Sequence, residues 1–413
     1  MTKTALFGCL WTVFSAIGCT QPEETKFIEA NVDFAAKQMH RLLNNIGEPD
    51  GKNYPRTTDE QGNLVCTSIH DWTPGFFPGS LWYLYELTGD KKWEKQAEKW
   101  TWPLESHQYF KGNHDIGFMM YCSYGNAQRL SPQEKYENIL VESANSLCTR
   151  FHAPVQAIES WDYRKAWDGS EWFYPVIIDN MMNLELLFYA SRVTGDRKYY
   201  DVAVAHANTT LKYHFRDDHS SYHVVDYDTI TGKPLHRQTC QGYSDNSTWS
   251  RGQAWAVYGY TMMYRETKNE TYLKAAQNFA GYFLGHLPED LVPLWDFNAG
   301  QEGSSPDGNS YAKINRNNVK DASAAAIVCS ALFELGELSK DKMYTQKAVE
   351  MLKSLSSPAY RAPLGENGGF LIMHCTGSLP HKSEIDVPLI YADYYYLEAL
   401  TRYKRLLMQD KRF

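Results

Sequence analysis

Apolar residues recur along this chain with a helical period, and the recurrence itself repeats. Four segments join an apolar stretch to a second, amphipathic one across a short polar turn: Thr88-Gly-Asp, Thr194-Gly-Asp, Thr267-Lys-Asn and Ser339-Lys-Asp. Five residues after each Thr or Ser stands an aromatic (Trp93, Tyr199, Tyr272, Tyr344), and nine after it an alanine (Ala97, Ala203, Ala276, Ala348). A fifth copy starts at Ser131, with Tyr136 in place and Leu140 where alanine is expected. The small residue lets helices pack closely, and the aromatic is expected to brace the turn against the preceding helix. Agreement in register across the copies marks a repeated helix pair. A sixth pair comes from the chain ends. Ile28, Val32, Ala35, Met39, Leu42 and Ile46 alternate spacings of four and three, and residues 388–407 form a mostly apolar run opened by Pro388. Six helix pairs whose ends meet predict an all-α fold, an (α/α)6 barrel.

Between the pairs lie long connections, near 47–74, 101–115, 151–178, 213–250, 285–320 and 356–386, rich in Gly, Asp, His and aromatics. An open helical solenoid would not need them. Each joins the second helix of one pair to the first of the next, so all lie on one rim, where function is expected. Within one of them, alternation around Val224 to Tyr227 and a Thr-Gly-Lys-Pro turn predict a small β-hairpin over 219–238.

The N-terminus reads differently. Lys3 precedes an apolar run over 4–18 that is too short to span a bilayer, and Ala16-Ile17-Gly18-Cys19 resembles a bacterial lipobox. Residues 1–18 are therefore expected to be a lipoprotein signal peptide, Cys19 the lipidated residue, 19–26 a polar tether and 27–413 the barrel. No later segment reads as a membrane span. The implied location is outside the inner membrane of a bacterium, periplasmic or at the outer surface, with membrane contact only through the lipid. The net charge of −8 comes without any Lys/Arg-rich run, which argues against a nucleic-acid partner. The 8 cysteines show no C-x-x-C spacing and the 13 histidines are scattered, so neither a metal nor a cofactor is indicated. Signatures of serine hydrolases, phosphate-binding loops and zinc proteases are missing. The 12 tryptophans and 29 tyrosines suit stacking on sugar faces, although helical cores use them too.

Two carboxylates stand out on the rim. Asp115, in N-H-D-I-G-F, and Asp179, in V-I-I-D-N-M, sit where loops enter first helices. Either could be a helix cap. The flanking Ile177, Ile178 and Met181 would raise the Asp179 pKa and let it donate a proton. Asp321, before an alanine-rich run, reads more simply as a cap. Trp72 and Trp161 lie on the same rim, and Gln241, Trp249 and Arg251 share one stretch, in which Arg251 is a planar donor suited to a sugar carboxylate. The last loop offers Thr376, Ser378, Ser383 and one cation, Lys382, a set that could hold a sulfate. The negative net charge argues for unsulfated or singly sulfated substrates over heavily sulfated ones.

Several blocks together resemble the unsaturated glucuronyl hydrolases, glycoside hydrolase family 88. They are W-T-P-G-F-F-P-G (72–79), H-D-I-G-F (114–118), V-I-I-D-N-M-M-N-L (176–184), Q-G-Y-S-D-N-S-T-W-S-R-G-Q-A-W (241–255), W-D-F (295–297) and the segment 383–395. The resemblance implies an (α/α)6 barrel, no cofactor, and a substrate ending in a 4,5-unsaturated uronic acid left by a polysaccharide lyase. It implies Asp179 as general acid/base, Asp115 as its companion, and His223 beside the bound sugar. Trp72, Trp161 and Trp249 would stack on the substrate, while Gln241 and Arg251 would contact its carboxylate and ring. Some members carry histidine where this chain has Cys240, to which no catalytic role is assigned. Alternatives are an unsaturated rhamnogalacturonyl hydrolase acting on pectin products, a sugar epimerase on the same barrel, and a non-catalytic glycan-binding lipoprotein.

Overall fold

The computed structural model describes residues 21–410, apart from 302–304, 307–309 and 314–317. The signal segment 1–18 and Cys19 lie outside the described residues. The expected tether is short-lived: from Gln21 onward the chain is already helical.

Twelve helices among the described residues make two rings. The outer ring holds α1 (Gln21–Ile46), α3 (Lys91–Thr101), α5 (Glu134–Cys148), α7 (Arg197–Tyr213), α9 (Glu270–Gly285) and α11 (Lys342–Leu355). The inner ring holds α2 (Phe76–Thr88), α4 (Ile116–Met120, continued by a π turn over Tyr121–Gly125 and by Asn126–Leu130), α6 (Leu184–Thr194), α8 (Ser250–Thr267), α10 (Ala322–Ser339) and α12 (Ile390–Asp410). Inner helices are buried over most of their length by the outer ring and by one another, with most of their charged residues gathered toward one end. In α10 this goes far enough that its 18 residues, at mean hydropathy 1.4, would pass for a membrane span by length and composition. That differs from the sequence reading, and the reason is burial within the barrel. Inner α12 packs on α2 and α10, which closes the ring.

The repeated turn is a hydrogen-bond relay. Thr88, Thr194, Thr267 and Ser339 each donate their hydroxyl to a carbonyl one turn back, and each hydroxyl oxygen accepts the N–H two residues on. That next residue (Asp90, Asp196, Asn269, Asp341) then caps the outer helix by accepting the N–H two positions further on. Each cap is worth about 1 kcal/mol. The intervening residue has positive φ, 70° at Gly89 and Gly195 and 56° and 60° at Lys268 and Lys340. The repeat alanines are fully buried, and so is Leu140. The aromatics reach further than the turn: Tyr136, Tyr199 and Tyr272 donate to Glu98, Asn145 and Asn208, each on the preceding outer helix.

The rim loops carry short antiparallel ribbons. The predicted hairpin is present as Val224–Tyr227 paired with Pro234–Gln238, and Pro175–Ile177 adds a third strand beside it. That third strand runs directly into Asp179. At the opposite end, Tyr83 and Tyr258 donate to Glu398, as does Ser330, while Arg265 and Arg402 pair with Glu185 and Glu334. Most of these groups line a cavity of about 720 Å³, where Arg265 and Arg402 are held by Glu185 and Glu334.

Candidate active site

Asp115 opens α4 and Asp179 lies in the 3-10 turn Ile178–Asn183 that leads into α6. Neither carboxylate makes a capping bond, so the cap reading fails for both. Asp321, by contrast, does cap: it accepts the N–H of Ser323. The two rim aspartates sit close enough that the charge on Asp179 raises Asp115. Burial pushes Asp179 up to about 7, with the Arg251 guanidinium pulling the other way. Burial first, then the charge of Asp179, pushes Asp115 up to about 8. The pair is therefore set to keep a proton near neutrality.

Each aspartate faces a neutral histidine whose tautomer follows from its neighbours. Phe118 N–H donates to Asn183 Oδ1 at 3.0 Å, so Asn183 Nδ2 donates to His114 Nδ1 at 3.2 Å. His114 then carries its proton on Nε2, which lies 3.4 Å from Asp115. Asn183 gets this close because residue 117 is glycine; a Cβ there would stand 2.3 Å from Asn183 Oδ1. On the other side, the backbone N–H groups of Cys240 and Gln241 both donate to His223 Nδ1, at 3.1 Å each. His223 Nε2–H then points at Asp179 from 3.7 Å. Burial holds both rings well below the usual histidine range, so both stay uncharged.

Four buried polar atoms on this floor lack a hydrogen-bond partner: His114 Nε2, His223 Nε2, Asp179 Oδ2 and Trp255 Nε1. Buried polar groups are ordinarily satisfied, and an unfilled cluster at a barrel mouth is what a polar ligand would complete. Above the floor opens a cleft of about 200 Å³, walled by Trp72, Trp161, Gln241, Arg251 and the loop around Gly377. Trp72 rests on Phe76, Phe118 and Tyr391. Trp161 is backed by Trp172 and edges onto His223.

Three expected residues stand elsewhere. Trp249 is only 3% exposed and lies behind His223, ring centroids 4.5 Å apart, so it supports the histidine and does not present a stacking face. Arg251 reaches the wall, but its guanidinium is committed to Asp321 Oδ2 at 2.6 Å and to the carbonyls of Thr376 and Gly377. Its grip on a uronate is at most partial, and its larger work is to tie the last loop to α10. Lys382 is turned out of the cleft, with Nζ over the Tyr311 ring at 5.6 Å. Two hydroxyls of that loop are spent as well, Thr376 on the Lys320 carbonyl and Ser378 on His381, while Ser383 lines the cleft. The sequence reading missed His114, Asn183 and Trp255 on the floor and Arg164 and His381 on the wall. His114 carried a signal in its place beside Asp115, and Asn183 and Trp255 in lying within the blocks 176–184 and 241–255; Arg164 and His381 carried none. Among the described residues no group of three or more His, Cys, Asp or Glu side chains is arranged to hold a metal ion.

The profile of Glycosyl Hydrolase Family 88 matches residues 50–405. The chain belongs to that family. It is 43% identical to an unsaturated glucuronyl hydrolase of Formosa agariphila, over 97% of this chain and 98% of the relative. It is 32% identical to one from Bacillus sp. (strain GL1), over 86% and 92%. Among solved structures, an unsaturated glucuronyl hydrolase specific for heparin superposes with TM-score 0.85 at 43% identity, covering 94% of this chain and 98% of that one. An aspartate-to-asparagine variant of the Streptococcus agalactiae enzyme, complexed with dGlcA-GalNAc6S, superposes with TM-score 0.74 at 29% identity over 93% and 92%. The family 88 match, with relatives so named, separates this chain from the rhamnogalacturonyl, epimerase and binding-only alternatives.

Proposed function

We propose that the chain is a glycosidase that removes the non-reducing 4,5-unsaturated uronic acid from lyase-generated oligosaccharides, by hydrating the C4=C5 bond. The observation that carries this reading is the pair of raised, uncapped carboxyls, Asp179 and Asp115, each faced by a neutral histidine N–H on an otherwise unsatisfied floor. The substrate is a cyclic vinyl ether. Asp179, holding its proton near neutrality, gives it to C4, and the positive charge is shared between C5 and the ring oxygen. Water then adds at C5 and returns a proton to Asp179, which restores the acid. The C5 hemiketal opens to a ketone, and the hemiacetal left at C1 collapses and releases the rest of the sugar as an alcohol. One water is consumed and the bond to the anomeric carbon breaks last, so carboxylate separation does not set a retaining or inverting outcome here. Asp115 and His114 would hold the ring hydroxyls, Trp72 and Trp161 the sugar faces, and Gln241 the uronate side.

The test is loss of the double-bond absorbance on adding enzyme to an unsaturated glucuronyl disaccharide. Wild type should bleach it. Asp179→Asn, shown to be folded by circular dichroism, should lower turnover about a thousandfold or more while still binding the disaccharide. Near-normal turnover by that variant would remove Asp179 from the role, and no bleaching by wild type would remove the reaction. The N-terminal expectation adds a location: the apolar run over 4–18 followed by Cys19 supports a lipid-anchored enzyme outside the inner membrane. Radiolabelled palmitate should mark the wild-type protein and not Cys19→Ser.

A further inference from the structure

Three guanidinium groups wall the cleft: Arg56, Arg164 and Arg251. Arg56 is paired with Asp71 and Glu384, and Arg251 with Asp321. Arg164 differs. Among the described residues no carboxylate lies within ion-pair distance of it. What it has instead are two uncharged supports. Its guanidinium lies over the Trp161 ring, 4.8 Å from the centroid, and one nitrogen stands 3.4 Å from His381 Nε2. His381 is kept neutral by burial, and its Nδ1 faces the Ser378 hydroxyl at 2.6 Å. With the proton on Nδ1, Nε2 is left as an acceptor for Arg164. The arrangement fixes the plane of the guanidinium and leaves its full charge uncompensated, with the remaining N–H edge open to the cleft.

Position decides what that edge would meet. Arg164 belongs to the ribbon Arg164–Lys165 paired with Glu171–Trp172, on the rim above Trp161. Its charge weighs on Cys240, His223 and His381, and Arg251 is the arginine that weighs on Asp179. Its guanidinium lies on the Trp161 ring, whose edge meets His223, so it stands on the wall beyond that tryptophan, outside the floor where the uronate ring is placed and beside the path of the sugar that follows. We infer that Arg164 is the anion-reading residue of this enzyme, and that it takes a single sulfate ester on the sugar next to the unsaturated uronate. This rests on the reaction proposed above. It assigns to Arg164 the part that the sequence pattern offered to Lys382.

The experiment compares kcat/KM of wild type, Arg164→Gln and Arg164→Lys on unsaturated disaccharides that are unsulfated or carry one sulfate on the second sugar, at O4, O6 or N2. One charge-assisted contact of this kind is worth about ten- to a hundredfold. Arg164→Gln should lower the ratio of kcat/KM on at least one singly sulfated substrate to that on the unsulfated one by that factor. Arg164→Lys should recover part of the loss, since it keeps the charge without the fork. Equal losses on sulfated and unsulfated substrates would overturn the inference, because Arg164 would then serve the uronate or the fold. So would an unchanged ratio in both variants, or rejection of every sulfated substrate by wild type. If wild type bleaches none of the panel, the proposed reaction fails first and this inference goes with it; bleaching with an unmoved ratio sinks the inference alone.

Discussion

Removing the Asp321 carboxylate tests whether Arg251 is mainly a tie between loop and barrel. Asp321 is fully buried, Arg251 is 2% exposed, and the contact between them is 2.6 Å. Asp321→Ala leaves a buried guanidinium whose remaining hydrogen-bond partners are the carbonyls of Thr376 and Gly377, and stranding one partner of such a pair costs about 3–5 kcal/mol. The same carboxylate caps α10 through Ser323 and accepts from Thr376 N–H, which adds about 1 kcal/mol. A loss of about 4–6 kcal/mol is a large part of the stability of an ordinary domain. Urea unfolding followed by circular dichroism should show the midpoint falling accordingly. The double variant Arg251→Met with Asp321→Ala should unfold at higher urea than Asp321→Ala alone, because no charge is then stranded. A double variant no more stable than the single one would refute the reasoning, and would mean that the two loop carbonyls suffice for Arg251.

The pH profile follows from the direction of the Asp179 shift. The acid must carry its proton to attack C4, and burial sets its titration near 7, so kcat/KM should hold below that pH and fall about tenfold per unit well above it; a profile flat to pH 9 would contradict the assignment. Asn183→Asp keeps the shape but presents an acceptor to His114 Nδ1, drawing the proton from Nε2. The Asp115 side should then lose its N–H, seen as a changed histidine nitrogen shift by NMR together with a displacement of the pH profile by about one unit. A variant that only loses stability, with its pH profile unmoved, would mean that Asn183 is purely a packing residue. Lys382→Ala should leave the ratio of rates on sulfated and unsulfated disaccharides within about twofold, since Nζ lies over Tyr311 and away from the cleft.

What could be read from the chain tracks the range of the bonds involved. The turn at Thr88, Gly89 and Asp90 is built from contacts two and four residues apart, so its pattern survives in sequence and returns in register at Thr194, Thr267 and Ser339. The barrel was legible for that reason, as were Asp115 and Asp179, which sit at the same kind of junction between loop and inner helix. Partners far apart in the chain left no such trace. Asn183 meets His114 across 69 residues and Arg251 meets Asp321 across 70. The sequence therefore showed Arg251 as a planar donor on the rim but not the buried carboxylate that shares its guanidinium. The lysine went astray for a different reason: Lys382 has φ of 56° at the end of a tight turn, and the backbone there throws the side chain outward. Arg164 gave no signal because its distinction is a missing carboxylate, which only the assembled wall reveals.

The tyrosine links of the outer ring all run the same way. Tyr136 reaches back to Glu98, Tyr199 to Asn145 and Tyr272 to Asn208, so three successive helix pairs find a docking partner in chain that precedes them. As the polypeptide leaves the ribosome, each of those three pairs can settle on the one already made. The exception is closure. Tyr83 must meet Glu398, 315 residues later, and the ring has no lid on its last gap until α12 arrives. Growth of the barrel is thus stepwise and local, whereas its sealing is a single late event that demands the whole chain. A chain cut short before α12 would keep most of its helices and still lack the wall on which Trp72 and Phe76 rest.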